Sequence, residues 1–242
     1  MSQSLVWISG ASSGIGRALV DTVPWPGSKI VGLSRRTAPG TQHLGVDLAD
    51  PTSWPVVHAS FRREAAQFTG ERVVFVQAAG TLSPIGFAGE VQADDYTHNV
   101  VLNSAAPQVL GHMFLEATRD LSASRHLLML TSGAASSVYP GWSSYGAAKA
   151  ATDQWVRNVG AEQGIRGGAQ VLAVGPGTVD TDMQRQLRET SASQFAQRQK
   201  FLDLHEQGQL SDPYDVAAKI WSLLDGGLDS GSVVDLRKLP TT

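Results

Sequence analysis

Cysteine is absent from this chain, which excludes disulfides, thiolate metal sites and cysteine nucleophiles together. No apolar run comes near the roughly 20 residues that a membrane-spanning helix needs. The opening MSQSLVWISG has no basic start and no long apolar stretch, so the expectation is a cytoplasmic protein without a secretory signal. Charge is sparse and balanced. The 19 Lys and Arg against 22 Asp and Glu leave a net charge of −3, which offers nucleic acid or an anionic membrane no broad attraction. Metal and hydrolase signatures are missing as well. His43, His58, His98, His112, His126 and His205 show no H-E-x-x-H or other paired spacing, and no G-x-S-x-G elbow occurs.

What is present is apolar and periodic. With 42% hydrophobic and 17% charged residues, a chain of 242 residues can bury a sizeable core. Seven short apolar runs recur: SLVWIS (4–9), KIVGLS (29–34), HLGVD (43–47), RVVFVQAA (72–79), HLLMLTS (126–132), AQVLAVGP (169–176) and GSVVDL (231–236). They are continuous rather than alternating, as strands covered on both faces must be. Helices are expected between them near 14–23, 52–68, 94–120, 143–164, 181–207 and 213–225. Asp50–Pro51 and Asp212–Pro213 read as an N-cap followed by a first-turn proline. The segment SRRTAPGTQHLG is too short and too rich in Pro and Gly for a crossover helix, so a loop is expected there. Strand and helix alternate from end to end with no linker or repeat. The pattern predicts one α/β domain over 1–242: a doubly wound parallel sheet of about seven strands with helices on both faces.

The first strand runs straight into GASSGIGRALV. Gly10, Gly14 and Gly16 let the backbone bend sharply and a ligand approach closely, and Ser12, Ser13 and Ile15 complete the turn. The amides opening the next helix form a seat for a pyrophosphate. At the end of the second strand, Ser34, Arg35 and Arg36 stand where an NAD enzyme would carry an acid for the ribose hydroxyls. Either the arginines hold a 2′-phosphate, giving a preference for NADPH, or they are solvated in a loop. Asp47 and Leu48 either meet the adenine edge or, like Asp50, cap the helix that follows.

WSSYGAAKAATDQW (142–155) places Tyr145 and Lys149 one turn apart on a strong helix former. Alone, the pair reads as a phenol packed on a lysine stem at a surface.

Taken with GASSGIG (10–16), QAAG (77–80), Asn103, TSG (131–133) and PGTVDT (176–181), that pair resembles the short-chain dehydrogenase/reductase family over essentially the whole chain. The C-terminal half is most similar to the sepiapterin reductase and benzil (1,2-dicarbonyl) reductase subgroup, in GWSSYGAAKAATD, GPGTVDTDMQRQLRETS and SGSVVDL. The resemblance implies a Rossmann-like fold and a Ser-Tyr-Lys-Asn site. In it Ser132 holds the substrate oxygen, Asn103 carries a water towards Lys149, and Ala79 and Gly80 floor the cofactor. Pro176, Gly177 and Thr178 would close over the nicotinamide, with Thr181 near its carboxamide. By residue type alone, Thr131, Ser136, Ser143 and Ser144 compete with Ser132, and Asn103 is equally a buried, satisfied amide. The family's usual asparagine before Ala78 is Gln77 here, whose longer amide is expected to keep most of the strand-tying role.

Reducing a carbonyl requires a proton for the developing alkoxide and something to stabilise that charge. A phenol near pKa 10 is sluggish at neutral pH, and a nearby ammonium is expected to lower it. The stretch 181–210 is expected to form one amphipathic lid, with Met183 facing either substrate or core. Trp142 and Tyr139 read either as an aromatic wall or as a packed loop. Asp235 matches the aspartate with which sepiapterin reductases anchor a pterin. Three readings follow: an NADPH-dependent reductase of ketones or 1,2-dicarbonyls, a sepiapterin reductase, and a non-catalytic dinucleotide sensor on the same fold. A homo-oligomer pairing through the helices near 94–120 and 143–164 is expected from the family, and no metal.

Overall fold

A computed structural model describes residues 3–239. The seven apolar runs become β1 (Ser4–Ser9), β2 (Lys29–Ser34), β3 (Gln42–Gly45), β4 (Arg72–Gln77), β5 (Ser124–Leu130), β6 (Gln170–Gly175) and β7 (Val233–Asp235). They form one wholly parallel sheet in the order β3-β2-β1-β4-β5-β6-β7. Chain order reverses between β1 and β4, so the ligand crevice of such a sheet lies at their carboxyl ends.

Alternate side chains along each central strand enter two separate cores. Leu5, Trp7, Val73, Phe75, Leu127 and Met129 pack on one face, and Val6, Ile8, Val74, Val76, Leu128 and Leu130 on the other. Both sets are buried, which is why the strands read as unbroken apolar runs. The first face is covered by α2 (Trp54–Ala66), α4 (Ala106–Thr118) and α5 (Ser143–Arg166). The second is covered by α1 (Gly14–Asp21) and α8 (Pro213–Ser222). Asp50 and Asp212 accept backbone N–H bonds at the starts of their helical segments, each with a proline just inside. Among the described residues, no helix is long and apolar enough to cross a membrane.

The structure differs from the sequence expectation in three respects. Ala78, Ala79, Thr131, Ser132 and Pro176 lie beyond their strands, in the loops at the crevice. The helix expected over 94–120 is α3 (Ala93–Val100), a π-helical turn at Val101–Ala105, and then α4. Pro107 lacks the N–H that a regular helix would offer to the Asn103 carbonyl, and the chain widens by one residue ahead of it. The stretch expected to form one lid is two helices, α6 (Asp182–Glu189) and α7 (Arg198–Glu206). Between them Ser191 bonds locally to Gln194 through side chain and backbone, a competition that helical propensity does not survive.

Candidate active site

The glycine turn closes against the loop after β4. Gly10 has φ +68°, and a Cβ on it would lie 3.0 Å from Ala79 Cα and N. A Cβ on Gly16 would lie 2.3 Å from the Gly10 carbonyl oxygen, so only glycine fits there. Helix α1 opens from this bend with no acidic residue in its first turn. Its amides face a cavity of about 290 Å³ lined by Gly10, Ser13, Gly14, Ile15, Gly16, Arg36, Ala79, Gly80 and Thr181.

A smaller cavity of about 140 Å³ adjoins it, lined among others by Ser12, Ser34, Arg35, Arg36, Asp47 and Leu48. Asp47 closes a local turn, and the helical segment that follows is capped by Asp50 instead. Its Oδ1 accepts from the Ala49 amide at 3.0 Å, and its Oδ2 stands 4.0 Å from Arg35 Nη1 at the cavity wall. The long cleft, its donor-rich bend and its cationic end fit a dinucleotide. A Cβ-free floor and backbone amides suit a pyrophosphate, and Arg35 and Arg36 suit an added phosphate.

Tyr145 and Lys149 are both buried on α5, with Lys149 Nζ 5.7 Å from the centre of the phenol ring. The ammonium donates to the Leu130 carbonyl at 2.9 Å, at the end of β5. Ser132, two residues on, lines the same cavity as Tyr145, and its Oγ accepts from the Ala134 amide at 3.2 Å. Of the competing hydroxyls, Ser143 is engaged with Tyr96 instead.

Burial pushes the Tyr145 phenol above its ordinary value, and the Ser132 side chain pulls the other way. Burial lowers Lys149 to about 8, partly opposed by the Asp153 carboxylate one turn further along α5. The phenol is therefore not acidified as the sequence suggested. Desolvation of the phenolate dominates.

Asn103 is fully buried in the π turn, where Oδ1 accepts from Thr81 N at 3.0 Å and Nδ2 donates to Thr81 O at 2.8 Å. The satisfied-amide reading is thus realised. The same amide also lies close to Lys149: a Cβ on Gly80 would be 2.9 Å from Asn103 Oδ1 and 3.9 Å from Lys149 Nζ. Asn99, one turn earlier and not singled out from sequence, donates to Ser83 O at 2.7 Å and holds the same loop.

Gln77 does not keep the strand-tying role. Its amide is buried, and neither Nε2 nor Oε1 has a partner among the described residues. The tie comes from Ser9 Oγ, which accepts from Ala78 N at 2.9 Å and Ala79 N at 3.0 Å.

Beside Tyr145 lies a cavity of about 310 Å³ lined by Ser132, Trp142, Pro176, Gly177, Thr178, Thr181 and Met183, among others. Trp142 fills both roles that its sequence left open. It stacks on Phe195, between α6 and α7, at 4.6 Å and 27°, meets the Tyr145 ring edge-on at 5.5 Å, and walls the cavity. Thr181 sits against the glycine turn, its Cγ2 3.3 Å from where a Gly14 Cβ would be.

Asp235 is not in this lining. Its carboxylate accepts from Arg237 Nε at 2.9 Å, Nη2 at 2.6 Å and N at 3.0 Å, and it is Arg237 that lines the cavity. Those bonds hold the Asp235 carboxyl below its usual range. Lys200, from α7, lines the cavity as well. Neither cation carries a local sequence signal, because they arrive from elements far apart in the chain.

Residues 4–192 match the family model for short chain dehydrogenases. A benzil reductase ((S)-benzoin forming) of Bacillus subtilis (strain 168) is 30% identical over 236 residues, spanning 96% of this chain and 97% of its own. A sepiapterin reductase of Bos taurus is 29% identical over 260 residues, spanning 97% of this chain and 95% of its own. The crystal structure of the enzyme KRED1-Pglu superposes with a TM-score of 0.80 at 26% identity, covering 96% of this chain and all of that one. With its parallel sheet, glycine bend and buried Tyr145–Lys149 pair, this chain belongs to the short-chain dehydrogenase family of oxidoreductases.

Proposed function

We propose that the protein is an NADPH-dependent carbonyl reductase acting on ketones or 1,2-dicarbonyls of the benzil type. The observation that carries this reading is buried Tyr145 lining, together with Ser132, an aromatic-walled cavity next to the glycine bend. The α1 amides would hold the pyrophosphate of a reduced nicotinamide dinucleotide and Arg35 and Arg36 its 2′-phosphate, and that cofactor would supply the hydride. Tyr145, kept protonated by burial, gives its proton to the carbonyl oxygen as charge develops there. Ser132 donates a hydrogen bond to the same oxygen, and the Lys149 cation stabilises the phenolate left behind. Asn103 positions the Gly80–Thr81 backbone beside Lys149. Met183 and Trp142 bound the substrate.

A pterin substrate is the second reading, favoured by the similarity to sepiapterin reductase. It is weakened by Asp235, whose carboxylate is already engaged by Arg237. Initial rates with benzil, simple diketones and sepiapterin, each with NADPH and NADH, test both. Benzil turnover favouring NADPH is expected, and replacing Arg35 and Arg36 by Ala is expected to lower that cofactor preference about tenfold or more. Turnover of none of them would remove both readings, and an unchanged preference would remove the arginines' role. The protein is further proposed to be a homo-oligomer through the faces of α4 and α5.

A further inference from the structure

Building on the reductase reading, we infer that the carbonyl substrate carries a carboxylate, which Arg237 and Lys200 hold beside Tyr145 and Ser132. Among the described residues lining the catalytic cavity, these two are the only charged side chains, and no Asp or Glu joins them.

Arg237 is fixed in place. A Cβ on Gly177 would lie 3.2 Å from its Cγ and Cδ, and a Cβ on Gly133 would lie 3.5 Å from Nη2. The stem thus crosses the loop after β6, and the head reaches the residue following Ser132. Asp235 takes Nε and Nη2, which leaves Nη1 uncommitted. Asp235 balances that charge from behind: its side chain is 22% exposed, against 58% for Arg237, so the cavity meets the cation.

Lys200 Nζ donates to Tyr139 Oη at 3.2 Å and lies 5.4 Å from that ring's centre, on the aromatic side of the same cavity. The buried indole Nε1 of Trp142, in the same wall, is a further donor without a partner among the described residues. A neutral diketone would leave Arg237 Nη1 and the remaining Lys200 donors without a partner, whereas an aryl 2-oxo acid is itself a 1,2-dicarbonyl whose second carbonyl is anionic. Chemically, the ketone carbon gains a hydride and its oxygen the Tyr145 proton, one NADPH is oxidised, and the carboxylate is untouched.

The test compares matched pairs, benzoylformate with its methyl ester and 4-acetylbenzoate with its methyl ester, with NADPH and the full-length protein. The acids are expected to have the higher kcat/KM, with an advantage that shrinks as salt is added. Arg237→Gln and Lys200→Gln should each cut the acid-to-ester ratio by about 10- to 100-fold. Calorimetry with the NADP⁺-loaded protein should show benzoate binding and benzamide not, with benzoate binding weakened in both variants. If Arg237→Gln failed to fold, the exposed Lys200→Gln carries the comparison. Esters turned over as well as acids, with no benzoate binding, would overturn the inference, and concurrent turnover of benzil would leave the reductase reading standing. No turnover of any carbonyl would remove both.

Discussion

Lys149 shows at the scale of one residue how burial sets both chemistry and stability. The chain buries the ammonium at a protonation midpoint of about 8 against an ordinary 10.5, so between those pH values the unfolded chain holds the extra proton. The cost of burying the cation is therefore full below pH 8 and lifts as pH rises towards 10.5. At about 1.4 kcal/mol for each tenfold change in proton affinity, it amounts to at most roughly 3 kcal/mol. Lys149→Met is expected to raise the Tm at pH 7 and to gain less at pH 10, with the unpartnered Leu130 carbonyl taking back about 1 kcal/mol. A lower Tm at pH 7 would contradict the assignment. Carbonyl reduction by the unaltered protein should decline above about pH 8 as the cation is lost. Asp153→Asn should move that decline to lower pH, because Asp153 supports the charge. Tyr145 and Lys149 were legible as a same-face pair because one helix sets them a turn apart, whereas Ser132 was reached through the family resemblance and not through spacing. The fate of Gln77 was not legible, since whether a buried amide finds partners depends on the geometry of its neighbours rather than on its type.

Elements were legible where one periodicity governed and illegible where it changed. The central strands β1, β4, β5 and β6 could be read because both their faces are buried, and α1 because the glycine bend announces it. The π turn before Pro107 could not be foreseen, although its sequence still looks helical: the widening re-aims Asn103 without altering the apolar pattern. Asn99 and Asn103, four apart, were a usable signal for two amides reaching one loop. On α4 and α5, Leu115, Trp155 and Val159 line an outer groove with His112, Glu116 and Glu162. That mixed apolar and charged groove, with the family resemblance, supports association through these helices. Sedimentation is expected to give a dimer or larger, and a monomer at micromolar concentration would refute it.

For the molecule as a whole, the sheet order explains why residues scattered from Gly10 to Arg237 share one crevice. Every strand delivers its site residues at the carboxyl end, and the reversal between β1 and β4 opens the cleft between them. Fold class followed from alternation alone, and the dinucleotide cleft from one bend. The cavity wall did not, because Trp142, Lys200 and Arg237 meet only after α5, α7 and the C-terminal strand have packed. The account rests on Tyr145 as the proton donor at this crevice. Its most direct test is Tyr145→Phe, assayed for benzil-dependent NADPH oxidation alongside NADPH binding by nucleotide fluorescence. Turnover should fall by about 10²- to 10⁴-fold with binding retained, whereas a variant that reduces benzil as fast as the unaltered protein would contradict it.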